Sequence, residues 1–329
     1  VVASFFDGFS GTMFALNKLG IEPDEYHAFE IDPYPTAVSK YNFPNIIRHG
    51  DARNWTKLKG KKIDLLVAGF PCQSYSIAGL RKYQEDSRDM SKVLIQALKE
   101  LDVDKVLIEN VASMPTEWRD YFTQTFKEIF PDISLYLEDS AKSSPQSRKR
   151  YYWTNIIYND IKDEGMVLND ILEDGAMADR DKSHCLDANY FKGGNLEHYY
   201  KKSRRQVVFS TTRLDKCKQV GVADLKGYDI IKRVYDRQGK SPTLTTMQGG
   251  WRMPKVPTLG MMDSDKLGWR ALTPLECERL QTVPDDCTKY GVTSTNMRVP
   301  VSNSQRYKML GNGFCVSTIA NILKGVDYD

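Results

Sequence analysis

Apolar runs and helix-spaced segments alternate along roughly the first half of the chain. Short apolar runs indicate buried strands, and apolar positions three and four residues apart indicate helices. The sequence thus predicts strands at 2–6, 26–30, 46–51, 65–68, 105–109, 133–137 and 151–154, and helices at 13–19, 33–41, 93–101 and 122–130. This alternation is typical of an α/β fold with a mostly parallel sheet, in which ligands bind at the carboxyl ends of strands.

The alternation fades after about residue 158 and returns at Leu272. Residues 180–256 carry 17 Lys and Arg against 7 Asp and Glu, a net charge of +10, whereas the remainder carries 29 against 36. A basic block within an acidic scaffold is typical of a region that binds a polyanion. A solvated charged loop is the open alternative.

Composition narrows the class of protein. With 329 residues, 41% hydrophobic and 27% charged, the chain is expected to be a soluble globular protein with a sizeable core. No apolar run approaches membrane-spanning length, and no signal peptide is recognisable. Six cysteines without a Cys-x-x-Cys pair predict reduced thiols in a cytosol and no metal site. His184-Cys185 is interpreted as part of a polar loop.

Residues at three successive predicted strand ends predict a pocket for a nucleoside. The first strand leads through the turn Asp7–Thr12 into a helix, which brings backbone and free amides close to a ligand. Glu30 ends the second strand and suits ribose hydroxyls, whereas Asp51 ends the third and suits an adenine amine. Because no element is suited to a pyrophosphate, the best candidate cofactor is S-adenosyl-L-methionine.

Cys72 follows the fourth strand on a stiff Pro71-Cys72 turn. A thiol held at the carboxyl end of a strand is a candidate nucleophile. For this stretch by itself, a buried cysteine packed as a small apolar side chain is the alternative.

Charged residues follow on neighbouring strands. Glu109 lies at the end of the predicted fifth strand, where a carboxyl group can donate a proton to a bound substrate. Gln146, Arg148 and Arg150 alternate ahead of Tyr151, so we expect them to share one strand face. Two arginines beside a cysteine and a glutamate suit an anionic or carbonyl-bearing substrate.

Taken in order, these elements resemble the DNA (cytosine-5)-methyltransferase family along essentially the whole chain. The motifs that carry the resemblance are Phe5–Gly11, Glu30, Gly50-Asp51, Gly69–Ser74, Glu109–Val111, Gln146-x-Arg148-x-Arg150, Leu272–Gln281 and Arg306–Asn312. Details such as Cys185–Tyr190 and Ser241–Gly250 are similar to the compact phage and prophage enzymes. The cofactor-binding start is distantly similar to the animal de novo branch.

The resemblance implies an architecture. It is a Rossmann-like, S-adenosylmethionine-dependent methyltransferase fold whose catalytic, cofactor-binding domain occupies residues 1–158. A basic target-recognition domain at 159–268 is inserted before residues 269–329 complete the large domain. The implied partner is double-stranded DNA, read at a short sequence with the target cytosine flipped out. A monomer in bacterial or phage-infected cytoplasm is expected, without a membrane or an obligate protein partner, either solitary or in a restriction–modification system.

The resemblance also implies residue roles. Cys72 would add to carbon 6 of cytosine, Glu109 would hold ring nitrogen 3, and Arg148 and Arg150 would polarise the ring carbonyl. The cofactor residues would be Phe6, Asp7, Gly8, Ser10, Gly11, Thr12, Glu30, Ile31, Asp51, Ala52, Pro71 and Asn312, and the product would be S-adenosyl-L-homocysteine. The DNA-facing residues would be Pro71, Gln73, Ser74, Asn110, Thr243, Thr245, Gly249 and Gly250. No metal ligand is implied.

Three other classes of protein would need sequence features that this chain does not show. An RNA-directed member would carry a Cys-Phe-Thr element, which the sequence lacks. A catalytically silent DNA-binding relative would be expected to have lost Cys72 or Glu109. An amino-group methyltransferase would need an Asp/Asn-Pro-Pro-Tyr element, and Asp32-Pro33-Tyr34 lacks the second proline. Asp7 and Ser10 replace small residues that are common in the family's first turn, which predicts altered cofactor affinity.

Overall fold

The computed structural model describes residues 1–71, 90–173, 176–192, 196–210, 219–222, 233–235 and 269–326. Its strands are β1 Val2–Phe5, β2 Tyr26–Phe29, β3 Ile47–Arg48, β4 Lys62–Ala68, β5 Asp102–Val111, β6 Ser134–Asp139, β7 Lys149–Thr154, β8 Ala176–Met177, β9 Val207–Ser210, β10 Gln219–Val222, β11 Arg233–Tyr235, β12 Trp269–Ala271, β13 Tyr290–Val292 and β14 Arg298–Pro300. Its α-helices are α1 Gly11–Lys18, α2 Pro33–Asn42, α3 Ser91–Glu100, α4 Thr116–Ile129, α5 Leu196–Lys202, α6 Pro274–Leu280, α7 Asn303–Asn312 and α8 Val316–Leu323.

Seven strands form the central sheet in the order β3-β2-β1-β4-β5-β7-β6. β3, β2, β1, β4 and β5 pair in parallel, and β7 runs antiparallel between β5 and β6. The sheet is therefore mixed and mostly parallel, as the alternation of strands and helices predicts. Phe5 pairs with Ala68, which pairs with Ile108, so three strands end side by side at one edge.

Both faces of the sheet are buried. In β4, Leu65 and Val67 pack into a core cluster with α1, α6 and α8, whereas Leu66 and Ala68 pack into a second cluster with α3 and α4. A parallel sheet needs helices on both faces, because its strands are apolar on both sides. This explains the continuous apolar run Leu65–Ala68 in β4, which follows an alternating start at Lys62–Asp64.

Local signals explain several helix boundaries. Asp32 caps α2 by accepting a hydrogen bond from the amide of Tyr34, with Pro33 at the first position. Thr273 and Glu276 form a capping box at the start of α6. Gly20 has a φ of +73° just after α1, where its lack of a side chain lets the chain turn.

Two sequence expectations about strands were wrong in detail. The third strand spans only Ile47–Arg48 rather than 46–51, because Gly50 takes a φ of +71° and Asp51 then caps a 3₁₀ turn at Ala52–Leu58. β7 begins at Lys149, so Gln146 and Arg148 precede the strand instead of sharing a face within it.

Parts of the inserted region pack against the main core. Leu168, Ile171 and Leu186 join the cluster that contains α1 and α8. β8, β9 and β12 form a separate three-stranded sheet, in which β12 pairs with β9. The domain boundaries at 158 and 268 stay predictions.

Candidate active site at the carboxyl edge of the sheet

A cavity of about 370 Å³ opens where β1, β4 and β5 end. Its wall includes Phe6, Gly8 and Glu30 on one side, and Glu109 and Arg150 on the other. The turn after α7 closes it from the C-terminal part of the chain. These predicted residues therefore lie around one space, at the edge where ligands bind in sheets of this kind.

Glu30 is fixed by backbone amides. The amide of Gly8 donates to Glu30 Oε2 at 2.9 Å, and the amide of Asp32 donates to Glu30 Oε1 at 2.7 Å. Burial raises the pKa of Glu30, and these two hydrogen bonds oppose that shift. Each carboxylate oxygen retains a lone pair, which makes Glu30 a fixed acceptor for a pair of hydroxyl groups.

The turn before α1 has a backbone shaped for close approach. Phe6, Gly8 and Ser10 have φ values of 58°, 58° and 68°. Non-glycine residues in this left-handed region are uncommon and cluster at ligand-binding sites. Phe6, Gly8 and Gly11 line the cavity, as the sequence predicts for cofactor residues.

Other residues of this turn point into a buried polar network. Asp7 lines the cavity but is only 4% exposed, and its carboxylate accepts from Tyr26 Oη and Ser10 Oγ, both at 2.6 Å. Ser10 Oγ also lies 2.6 Å from Ser39 Oγ, to which Arg48 donates. Burial raises the pKa of Asp7, against the hydrogen bonds that it accepts. Its carboxylate therefore supports the turn from behind.

The remaining predicted cofactor residues lie in three kinds of place. Ser10 and Thr12 are fully buried outside the cavity wall. Ile31, Asp51 and Ala52 are also outside it: Ile31 is 73% exposed, and Asp51 caps a turn and pairs with Arg53 at 3.0 Å. Pro71 and Asn312 line the wall, so these two are brought to the site.

Glu109 and Arg150 form an ion pair inside the cavity. Arg150 Nε lies 2.9 Å from Glu109 Oε1, and the side chains are 14% and 13% exposed. Strand register explains the pair: Glu109 is opposite Tyr152, so Arg150 is its diagonal neighbour on the same face. Burial lowers the pKa of Arg150, but Glu109, Cys185 and Tyr152 together outweigh burial, so the pKa is raised.

Arg148 has different contacts. It is 4% exposed, and it donates to the carbonyl of Leu186 at 3.1 Å and to that of Gly313 at 2.8 Å. Gln146 is fully buried and accepts from the amide of Leu186 at 2.9 Å. The family resemblance implies the same role for both arginines. Arg148 also lines the cavity, but its hydrogen bonds tie backbone segments together, whereas Arg150 pairs with the glutamate. The role of Arg148 at the ring carbonyl stays a prediction.

The end of β4 is held in place by its neighbours. Asn110 donates to the carbonyl of Phe70 at 3.2 Å and is 1% exposed. A Cβ at Gly69 would lie 2.9 Å from the ring of Phe314, so a side chain is excluded there. Both contacts fix the path of the chain up to Pro71. Cys72, Gln73, Ser74, Thr243, Thr245, Gly249 and Gly250 lie outside the described residues.

Two features of the site were missed by the sequence argument. Lys308 of α7 pairs with Asp32 at 2.7 Å, and both residues line the cavity beside Glu30. Cys185 Sγ lies 3.4 Å from Arg148 Nη1 and 3.9 Å from Arg150 Nη2. These contacts join residues 35 or more positions apart, and no local pattern signals them.

The described residues contain no helix long and apolar enough to cross a membrane. Within the same ranges, no group of three or more His, Cys, Asp or Glu side chains is placed to hold a metal ion.

Known proteins similar to this chain share its full extent. It is 25% identical to an orphan methyltransferase, M.SPBetaI, of Bacillus phage SPbeta, over 98% of this chain and 96% of the relative. It is also 25% identical to the type II methyltransferase M.HhaI of Haemophilus parahaemolyticus, over 98% and 92%.

Solved structures show the same fold. A mutant of DNMT2 from Spodoptera frugiperda matches with a TM-score of 0.60 and 18% identity, covering 99% of this chain and 98% of that one. A putative DNA modification methyltransferase from an E. coli prophage matches at 0.51 and 19%, covering 98% and 97%. The family model for C-5 cytosine-specific DNA methylases matches residues 1–327. The chain belongs to that family and is a DNA cytosine-5 methyltransferase.

Proposed function

We propose that this enzyme transfers a methyl group from S-adenosyl-L-methionine to carbon 5 of a flipped-out cytosine within a specific short sequence of double-stranded DNA. The reaction proceeds through a covalent bond between Cys72 and carbon 6. The observation that carries the proposal is a single cavity with Glu30 on one side and the Glu109–Arg150 pair on the other. Pro71, the residue before Cys72, lines the space between them.

The cofactor side fits S-adenosylmethionine. Glu30 offers an acceptor fixed by two amides, as the hydroxyl groups of a ribose require. Glu30 lines the cavity with a carboxylate, which disfavours a phosphate group close to it and suits a cationic ligand. When bound, the cofactor would supply an electrophilic methyl group. Phe6, Gly8, Gly11, Pro71, Asn312 and the backbone of Asp7 would hold it, with Ser10, Thr12 and the Asp7 carboxylate supporting the turn from behind. Ile31, Asp51 and Ala52, which lie outside the cavity wall, would meet its adenine end.

The base side fits cytosine chemistry. Carbon 5 is a weak nucleophile, and addition of the Cys72 thiolate to carbon 6 makes it electron-rich. Glu109 holds ring nitrogen 3, where negative charge develops as the thiolate adds. Arg150, fixed by its ion pair, polarises the ring carbonyl. After methylation, the proton on carbon 5 leaves to solvent and the Cys72–carbon 6 bond breaks, which restores the aromatic ring.

The basic block gives the DNA-binding region. Residues 180–256 carry a net charge of +10, which suits contacts to phosphates. We assign target recognition to residues 159–268, with Thr243, Thr245, Gly249 and Gly250 at the DNA and Gln73, Ser74 and Asn110 around the flipped base. The enzyme would act as a monomer in the cytoplasm of a bacterium or a phage-infected host. The phage origin of one similar protein supports that setting.

The test is a methylation assay on unmodified genomic DNA with S-adenosylmethionine, read by bisulfite sequencing. Wild-type enzyme is expected to protect cytosines within one short motif, and Cys72→Ser is expected to protect none. Cys277→Ser, a buried cysteine of α6 outside the cavity wall, is the matched control and should retain activity. Wild-type protein that binds S-adenosylhomocysteine but protects no cytosine in DNA would contradict the proposal, and RNA would then be the substrate to assay.

A further inference from the structure

We propose that Cys185 is a positioning residue for the reaction, because its sulfur holds the guanidinium of Arg150 against Glu109 from outside the cavity. Cys185 belongs to a strap, residues 183–187, that reaches the site from the inserted region. The inference rests on the proposed function, since it concerns the rate of chemistry at the cytosine.

The sulfur is an acceptor shared by two arginines. Arg148 Nη1 donates to Cys185 Sγ at 3.4 Å, and Arg150 Nη2 donates to it at 3.9 Å. Burial would raise the pKa of the Cys185 thiol, but the charges of Arg148 and Arg150 outweigh burial and lower it. The sulfur also donates to the carbonyl of Leu186 at 3.6 Å, so its lone pairs are the groups that accept from the two guanidiniums.

Arg150 is therefore held at all three of its nitrogens. Its Nε pairs with Glu109 at 2.9 Å, its Nη1 donates to the carbonyl of Lys149 at 2.8 Å, and its Nη2 is directed to the sulfur at 3.9 Å. A guanidinium is planar and rigid, so these anchors fix the direction of the N–H donors that stay available, one on each terminal nitrogen. Those donors are the groups that polarise the ring carbonyl in the proposed reaction.

The strap is hydrogen-bonded to residues 145–147, the segment before β7. The amide of Ser183 donates to the carbonyl of Pro145 at 2.8 Å, and the amide of Ser147 donates back to Ser183 at 3.1 Å. The amide of Leu186 donates to Gln146 Oε1 at 2.9 Å. These hydrogen bonds set the position of Cys185 to within a narrow range, which a positioning role requires.

The outer side of the strap contacts the inserted region and α7. The amide of His184 donates to Gln206 Oε1 at 3.1 Å, just before β9, and Arg204 pairs with Asp187 at 2.9 Å. Gly311 packs so closely on the strap that a Cβ there would lie 2.3 Å from the carbonyl carbon of Asp187. The strap thus connects the proposed recognition region to the arginine pair and to the cofactor side of the cavity.

The test compares Cys185→Ala, which removes the acceptor, with Cys185→Ser, which keeps one. Steady-state methylation at saturating DNA duplex gives kcat, its dependence on duplex concentration gives KM, and calorimetry gives the affinity for S-adenosylhomocysteine. We expect Cys185→Ala to lower kcat about tenfold, because a small loss of transition-state stabilisation is enough for a tenfold loss of rate. We expect Cys185→Ser to lower kcat less than about threefold, because its hydroxyl oxygen can still accept from the arginines. KM and cofactor affinity should stay within about twofold for both variants.

Cys277→Ala is the matched control, since it removes a buried thiol from the main core. Should Cys185→Ala not fold, Cys185→Val fills the site without an acceptor and takes its place. A kcat within twofold of wild type for the acceptor-free variant would overturn the inference, as would an equal loss in the alanine and serine variants. A wild-type enzyme that binds S-adenosylhomocysteine but methylates no DNA would instead refute the proposed function, and the inference with it.

Discussion

The two sides of the cavity differ in the groups that form them: backbone groups on one side and charged side chains on the other. On the side where we propose that the cofactor binds, backbone groups dominate: Glu30 is held by two amides, and the turn carries three residues in the left-handed region. On the side where we propose that the cytosine binds, charged side chains dominate, with Glu109 and Arg150 paired at 2.9 Å.

This difference predicts that substitutions on the two sides affect different quantities: cofactor affinity on one side and reaction rate on the other. A site built from backbone depends on the conformation of the turn, so substitutions there should alter affinity and stability through the residues that support the turn. A site built from an ion pair depends on single charged atoms, so substitutions there should alter the rate of reaction while the fold persists. Five substitutions test this contrast, taken here from the largest effect to the smallest.

Glu109→Gln should have the largest effect. The amide keeps the shape of the side chain but cannot exchange a proton with ring nitrogen 3, so kcat should fall at least about a hundredfold. Affinity for S-adenosylhomocysteine should change less than about twofold, since Glu109 lies on the other side of the cavity. Steady-state kinetics gives kcat, and calorimetry gives the affinity for S-adenosylhomocysteine. Asp104→Asn, at the far end of the same strand, is the control, and a loss confined to cofactor affinity would reverse the assignment.

Arg150→Lys and Arg148→Lys should separate the two arginines. Arg150→Lys should lower kcat about tenfold, because an ammonium cannot hold Glu109 and the ring carbonyl together. Arg148→Lys should instead destabilise the fold by about 1–3 kcal/mol, because it leaves buried carbonyls without donors. Thermal unfolding and kcat for both variants decide the question. Equal loss of kcat with unchanged unfolding temperature in both would show that the arginines act alike.

Asp7→Asn should lower the free energy of unfolding in a pH-dependent way, because Asp7 belongs to the buried polar network behind the turn. Because burial raises the pKa of Asp7 above 3.8, the folded protein holds this proton more tightly than the unfolded chain. The group therefore stabilises the fold fully below pH 3.8, and that contribution is lost as pH rises through the folded-state pKa. Asparagine does not titrate.

The stability deficit of Asp7→Asn should thus be largest in acid, about 1–3 kcal/mol, and should shrink toward neutral pH. Urea unfolding at several pH values measures it, with the exposed Asp24→Asn as control. A deficit that grows as pH rises would mean that the ionised carboxylate is the stabilising form.

Lys308→Ala should have the smallest effect. Its ion pair with Asp32 is 45% and 26% exposed, so solvent screens it. We expect affinity for S-adenosylhomocysteine to fall about two- to fivefold, with kcat nearly unchanged. The difference should diminish in about 0.5 M salt, and calorimetry at two salt concentrations measures it. An effect independent of salt would mean that Lys308 acts by packing.

Local patterns in the sequence predicted most strands and helices of the central sheet region. Buried runs such as Leu65–Ala68 and helix-spaced segments such as 33–41 are short-range signals, and the structure confirms the strand and the helix that they predict. The third strand was predicted too long because the left-handed turn at Gly50 interrupts it.

Long-range contacts could not be predicted in the same way. Arg148 and Arg150 differ only in what lies opposite them, and those partners come from segments more than 35 residues away. Cys185 was interpreted as part of a polar loop because its sequence neighbours are polar. Only the folded chain brings its sulfur to the arginines.

The most direct measurement is the mass of the enzyme after reaction with a DNA duplex that carries 5-fluorocytosine at the target position. Fluorine replaces the proton that must leave carbon 5, so the Cys72–carbon 6 bond should persist after methyl transfer. We predict a covalent enzyme–DNA species with one added methyl group, mapped by digestion to the peptide containing Cys72 and absent in Cys72→Ser. Full methylation of the ordinary duplex with no adduct on the fluorinated one, or an adduct on another residue, would contradict the proposed mechanism.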